Sequence, residues 1–501
     1  MTRTGVKRWM LGMAAVITVA AHQPAAAEDA GTVLDEILNI MRQSGQISEE
    51  QKKALIERAQ QEARMAEAER EKQAKDLAGS FTAGIENYKP YFRTNDGDFK
   101  FELGGVIMLD YDAAEPDART LGGTKLFSRF LVRRARLDVT GTLFNWVGVK
   151  VEGDFTEGIS LKDAFLELRF FKEASVRGGQ FKVPFSLEEL TSSRFIDFVE
   201  RSVINELSPA REQGIMLYGS LLEGVLGYQF GVFNGVPEEA VETNNSKDLA
   251  GRLVLQPFRN TSIGLLKGLQ VGGNFTWGPD HITSAQGRTG ARTDPRFVYF
   301  VSQPTKGDRT RFGGDIAWLW GPAGVKFEYA EQHNDREDCG VLSSGRCAGG
   351  ADLDEIVARG FYASATYLLT GETKPLNGPV IPRRNFSPLP GRLGPGAWEL
   401  GVRYAQLQFR SDDPVDFLDG NITNGITGGG LTAENGVDAV TAGVNWYLNP
   451  RTRMMFNWTN YWYDNELGTP FSCDRDTCSA STLGRNGDTS WEVLTRMQVW
   501  F

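Results

Sequence analysis

Trp146–Phe155 reads WVGVKVEGDF, and its side chains alternate in kind. Val147, Val149, Val151 and Phe155 fall on one face, and Lys150, Glu152 and Asp154 on the other. Successive side chains of a strand point to opposite sides, so this stretch has one apolar and one charged surface and must lie between a greasy medium and water. The period of two recurs in Gly324–Ala330, where Val325, Phe327 and Tyr329 alternate with Lys326 and Glu328. It recurs again at the end, where Trp491, Val493, Met497, Val499 and Phe501 oppose Glu492, Arg496 and Gln498. Alternation alone fits a soluble sandwich with outward charges as well as a membrane barrel with inward ones.

Counting separates the two. From Asp98 onward the pattern predicts sixteen strands, beginning with Phe99–Asp112 and ending with Thr489–Phe501, with Leu266–Gly278 and Thr310–Trp320 as the ninth and tenth. Single-chain bacterial barrels have an even number of strands, short turns on one side and long loops on the other. Here short links at Phe144-Asn145, Lys172-Glu173, Glu223-Gly224, Gly321-Pro322 and Asn449-Pro450-Arg451 alternate with longer polar ones, Gly371–Pro395 being the exception. The expected fold is all-β: a sixteen-stranded antiparallel transmembrane β-barrel over residues 95–501, with a water-filled lumen and lipid outside. A terminal strand ending on Phe501 is the mark that outer-membrane barrel-assembly machinery reads.

What precedes the barrel is of another kind. Lys7 and Arg8, an apolar run from Trp9 to Ala20, and Ala25-Ala26-Ala27 read as a secretory signal peptide over residues 1–27. The apolar run is too short to span a bilayer as a helix, which takes about 20 residues. Residues 28–80 read as a periplasmic helical segment. Leu34, Ile37, Leu38 and Met41 have helical spacing, Ser44-Gly45 breaks it, and Ser48 with Gln51 forms a capping box before a second stripe at Leu55, Ile56 and Ala59. That stripe fades to Ala63 and Ala66, so a coiled coil that helps assembly and a solvated spacer both stay open.

Composition fits export to a membrane. Eleven Trp, 13 Tyr, 30 Phe and 57 Gly occur in a chain whose net charge is −10, and losing Arg3, Lys7 and Arg8 makes it more acidic still. That balance argues against nucleic acid as a partner. Cys339 with Cys347, and Cys473 with Cys478, lie in polar loop-like segments and are expected as disulfides. Zinc is the competing reading, but neither pair has CxxC spacing, and only His281 and His333 follow the signal. No cofactor or metal is expected.

Several stretches carry a family resemblance. Phe130–Thr142, FLVRRARLDVTGT, and Lys162–Glu167, KDAFLE, resemble segments of the phosphate-selective porin O and P family. The longest likeness runs from Gly179 to Glu212, GQFKVPFSLEELTSSRFIDFVERSVINELSPARE, and Leu369–Thr373, LTGET, resembles a later family motif. The resemblance covers about Asp98 to Phe501. It implies a sixteen-stranded barrel, commonly a homotrimer in the bacterial outer membrane, that passes small anions such as phosphate; some members also carry an N-terminal charged helix.

The candidate site is the connection at residues 186–211, which in porins generally folds into the lumen and narrows it. A barrel this wide needs a constriction with fixed charge to select a solute. By resemblance Ser192, Ser193 and Arg201 hold the anion, and Asp163 matches a nearby family carboxylate. Arg194 belongs to the same segment. Arg134, Arg136 and Lys150 either add a basic wall or pair with lumen carboxylates such as Glu152, Asp154 and Glu167, and Lys182 either lines that wall or lies at the rim. Glu189 departs from the family, whose phosphate-selective members carry lysine there, and a carboxylate repels a dianion. The function expected is therefore an anion porin, with a weakly selective porin that tethers the envelope through its helix as the alternative. An outer-membrane enzyme is disfavoured: His281 and His333 are expected in outer loops, and no Ser/His/acid arrangement can be drawn.

Overall fold

The computed structural model describes residues 42, 48–86, 88–114, 128–156, 158–238, 240, 242, 244–289, 297–343, 346–410, 434–464 and 489–501. The chain divides into two compact units, Met1–Thr82 and Ala83–Phe501. The signal peptide, the first helical stripe at Leu34–Met41 and the Cys473/Cys478 pair lie outside the described residues.

In the first unit, helix α1 spans Glu49–Ser80. It starts at Ser48, whose hydroxyl accepts from the Gln51 amide at 3.2 Å while the Ser48 amide donates to Gln51 Oε1 at 2.9 Å. The box leaves two first-turn donors satisfied, and Glu49 and Glu50 in that turn suit the positive end of the helix.

The second unit closes sixteen antiparallel strands into a ring. They are β1 (Phe99–Ala114), β2 (Arg129–Leu143), β3 (Val147–Asp154), β4 (Ser160–Leu168), β5 (Ser175–Lys182), β6 (Arg211–Leu221), β7 (Leu226–Phe233) and β8 (Asp248–Leu255). The second half is β9 (Leu269–Thr289), β10 (Phe297–Trp320), β11 (Ala323–Arg336), β12 (Leu353–Leu368), β13 (Ala397–Arg410), β14 (Glu434–Asn449), β15 (Thr452–Tyr463) and β16 (Thr489–Trp500). Each pairs with the next, and β16 returns to β1 from Glu492↔Ala114 to Trp500↔Val106. Gly105 and Phe501 complete the seam with two backbone hydrogen bonds of 3.1 Å. A short strand, Lys89–Thr94, unforeseen in the sequence, pairs with the start of β1.

Polarity is inverted relative to a soluble domain. Val151 is 54% exposed and its neighbour Glu152 only 3%; Met497 is 45% exposed and Arg496 is fully covered. Leaving a Val, Leu or Phe side chain in water rather than burying it costs about 1.5–3 kcal/mol, so this outer surface calls for hydrocarbon around it. Charges crowd inside and must find partners there.

The ninth and tenth strands differ from the sequence reading. Strands β9 and β10 form one hairpin that outruns the expected Leu266–Gly278 and Thr310–Trp320, pairing on through His281↔Gly307 to Thr289↔Phe297. Its tip carries residues such as Asp280, Arg288, Lys306 and Asp308 without the apolar beat, so pairing leaves no trace in hydropathy. The long β12–β13 connection, residues 369–396, folds against the barrel, as its length allows: Val380 packs with Leu368, Ala397 and Tyr447.

Candidate functional site

The β5–β6 connection, residues 183–210, fills part of the lumen because it is too apolar for water. Phe185 and Leu207 pack on Ala330, Ile356, Ala358, Leu407 and Phe409 of the inner wall. Ile204 meets Tyr362 and Ala405, and Val199 meets Met455 and Leu494. Phe198 lies over Gly401 and Gly443, which face each other across β13 and β14; a Cβ at either would stand 3.2–3.3 Å from its ring. Arg403 covers that ring, its guanidinium 4.6 Å from the centroid.

Polar anchors hold the connection as firmly. Asp197 lies between Lys326 at 2.8 Å and Lys374 at 2.7 Å, the latter reaching in from the β12–β13 connection. Glu200 lies between Arg133 at 2.8 Å and Arg496 at 3.2 Å. Burial alone would raise the pKa of both carboxylates, but these cations outweigh it and hold both below the usual range. Arg453 donates to the Ile196 carbonyl at 3.0 Å and Gln498 to that of Arg194 at 2.9 Å.

Within the connection, helix α2 (Leu187–Leu190) carries Glu189, and the turn after it carries Ser192 and Ser193, all three lining the lumen. Ser186 caps it through the Glu189 amide at 3.0 Å, and the Glu328 carboxylate accepts from the Leu187 and Glu188 amides at 3.0 and 3.1 Å. Arg201 donates to the carbonyls of Glu188, Glu189 and Thr191 at 3.0, 3.2 and 3.2 Å, satisfying the far end of the turn. The Glu189 carboxylate stands 3.5 Å from Lys182 and 3.4 Å from Arg201. The Ser192 amide donates to Asn377 Oδ1 at 3.1 Å, and Arg194 pairs with Asp138.

Facing this edge, β2–β6 carry a ladder of alternating charge. Arg136 binds Asp154 at 2.6 Å and Glu152 at 3.1 Å, and Lys150 binds Glu152 at 3.0 Å and also Asp163. Arg211 continues the ladder to Asp163 and lies 3.6 Å from Glu152. Pairing, the plainer of the two roles open for Arg136 and Lys150, is thus what both do. Arg134 is different. It is 6% exposed and among the described residues has no carboxylate within pairing distance; its Nη1 is 3.6 Å from Met108 Sδ, and its Nε has no hydrogen-bond partner among those residues.

Between loop and ladder lies a cavity of about 360 Å³, lined by nine Lys and Arg side chains against four carboxylates. Arg134, Arg136, Lys150, Asp163, Glu189, Ser192, Ser193, Arg194 and Arg201 all line it, and so does Lys182, which settles its place on the wall. Arg133, Lys162 and Glu238 line it too and were not read from the sequence. Both missed cations sit at β-bulges. Arg134 pairs with Met108 and Val132 with Leu109, which leaves Arg133 as an extra residue; Lys162 is extra in the same way between Asp163 and Leu161. A bulge lets two consecutive side chains face one side, and strict alternation assigns the second to lipid.

The histidines are not in outer loops. His281 is on β9, its Nε2 2.8 Å from Asp248 Oδ1, and His333 is on β11 between Glu331 at 2.8 Å and Glu355 at 3.1 Å. The hairpin extension described above is the reason for His281. The Cys339–Cys347 disulfide is formed.

Comparison with known proteins completes the picture. A model of the family described as phosphate-selective porin O and P matches residues 101–470. Porin O of Pseudomonas aeruginosa is similar, 24% identical over 393 residues that cover 72% of this chain and 82% of the relative. Among solved structures, OmpT, an outer membrane protein of Vibrio cholerae, is similar at 10% identity and TM-score 0.49, over 81% of this chain and 98% of its own. The anion-selective porin from Comamonas acidovorans is similar at 13% identity and TM-score 0.46, over 80% of this chain and all of its own.

Proposed function

This chain belongs to the phosphate-selective porin O and P family, and from that premise we propose that its solutes are small anions drawn through the cavity between the β5–β6 connection and the β2–β6 wall. It is an outer-membrane porin of bacteria, a passive water-filled channel. The finer reading rests on Arg134. A guanidinium keeps its charge in proteins, and a buried charge without a partner is costly. A mobile anion in the cavity offsets that cost; a cation adds to it. Arg194 and Arg201 add fixed positive charge on the loop side, and Ser192 and Ser193 offer hydroxyls.

Glu189 supports weak rather than strict phosphate selection, because its carboxylate already draws on Lys182 and Arg201. A weakly selective anion porin is accordingly the reading we hold. By the family's habit the pore is a homotrimer, with α1 in the periplasm as spacer or tether. The channel fold and the family favour transport over catalysis.

Planar-bilayer recording of the purified protein in a salt gradient tests this. A reversal potential of anion-selective sign is expected, and Arg134→Met should move it toward zero. An unchanged reversal potential in that variant would remove Arg134 as the selective charge.

A further inference from the structure

The nine cations and four carboxylates of the cavity pair unequally. Glu152 meets Arg136, Lys150 and Arg211; Asp163 meets Lys150 and Arg211; Glu189 meets Lys182 and Arg201. Each of these sits on a barrel strand or on the anchored β5–β6 connection, with two or more cations around it. Glu238 is the exception. It comes from the β7–β8 connection, residues 234–247, and among the described residues its only ion pair is with Lys162. One carboxylate oxygen binds the ammonium; the other is covered and has no hydrogen-bond partner. The connection is pinned just before it, where the Gly235 amide donates to Glu212 Oε2 at 2.9 Å. Lys162, for its part, has no other carboxylate in reach among the described residues, and its place at a bulge turns it into the same cavity as Asp163.

We propose that Glu238 is a built-in competitor for the solute: its carboxylate occupies Lys162 in the resting channel, and a passing anion must displace it there. This rests on the anion-porin reading and deepens it by naming the residue that tunes affinity. A carboxylate and an oxyanion offer a lysine the same contact, so the two exchange on Lys162 without a change of partner chemistry. Arg134 gives the solute a second, uncontested cation inside the same space. The exchange keeps residence short: the tethered carboxylate is at high effective concentration and returns as the anion moves on.

The test is block of chloride current by inorganic phosphate in planar bilayers, with the full-length protein and its variants. Glu238→Gln should lower the half-blocking phosphate concentration about twofold to fivefold, within the range that loss of one partly screened pair allows. Glu238→Asp keeps the charge but shortens the arm, and should give a smaller shift in the same direction. Lys162→Met should raise the half-blocking concentration, and adding Glu238→Gln to it should change nothing further. If Glu238→Gln acts as strongly with Met at 162, the effect is a general field and the competition idea is wrong; no effect in the parent background overturns it outright. Failure of the anion reading looks different: the parent protein would then show cation-selective reversal, while any Lys162-dependent effect of Glu238 would still register in the reversal potential.

Discussion

At the scale of single residues, Glu189 weighs on solute preference from a position where size and charge act separately. Its side chain is buried between Lys182 and Arg201, yet both cations also donate to backbone carbonyls of the same turn. Neutralising the carboxylate therefore frees positive charge without unlatching the turn. Glu189→Gln is expected to strengthen phosphate block about fivefold or more, the gain from removing one nearby like charge of a bound anion. An unchanged half-blocking concentration would mean that the anion does not approach this turn. Arg201 is not the simple solute ligand that its motif suggests, since three carbonyls hold it. Arg201→Ala should thus increase current noise as well as shift selectivity, whereas Arg134→Met should shift selectivity with quiet current. The wall positions Arg134, Arg136 and Lys150 were legible because strand alternation fixes a side chain's face. Arg133 and Lys162 were not, because nothing in their composition announces the extra residue of a bulge.

At the scale of elements, the β5–β6 connection behaves as a small core turned inside a barrel. Phe198 depends on two missing side chains, Gly401 and Gly443. Gly401→Val places new atoms against the ring and should lift that part of the connection off the wall. The expected result is larger and noisier unitary conductance with insertion intact, and an unchanged conductance would show that this contact does not set the bore. Acid should act on the same element. Asp197 and Glu200 have pKa values depressed in the folded state, so their contribution is complete above the ordinary carboxylate range and fades only as pH falls through the depressed values. With Glu328→Gln, which removes the other titrating carboxylate that holds this connection, conductance should therefore stay steady from neutral pH to about pH 4, where unperturbed carboxylates titrate, and flicker only below it. Noise rising already near pH 6 would refute these anchors. Sequence reading located the connection through its resemblance and its place between strands, but could not see its docking. Lys374–Asp197 and Phe198–Gly401 join residues far apart in the chain, and no local pattern encodes such meetings.

At the scale of the whole molecule, the barrel was the most legible part, because one rule, apolar out and charged in, is repeated in every strand until the ring closes. What failed was the height of the β9–β10 hairpin, where residues such as Asp280, Lys306 and Asp308 do not follow the rule. The ring also argues for independence. Each strand from β1 to β16 finds both neighbours within residues 99–501, and the seam is closed by Gly105 and Phe501. Helix α1 has its cap and its i,i+4 pair, Arg58 with Glu62, within its own unit. Deleting residues 28–80 while keeping the export signal should therefore leave unitary conductance, reversal potential and phosphate block as in the parent protein. If α1 ties the outer membrane to another envelope layer, cells carrying the deletion should leak periplasmic protein although their pores conduct normally. If it is only a spacer, both properties should stay as they were. Loss of insertion or a lowered conductance would contradict the self-sufficiency of the ring, and with it the view that selection is made wholly by residues of the barrel and the connection folded inside it.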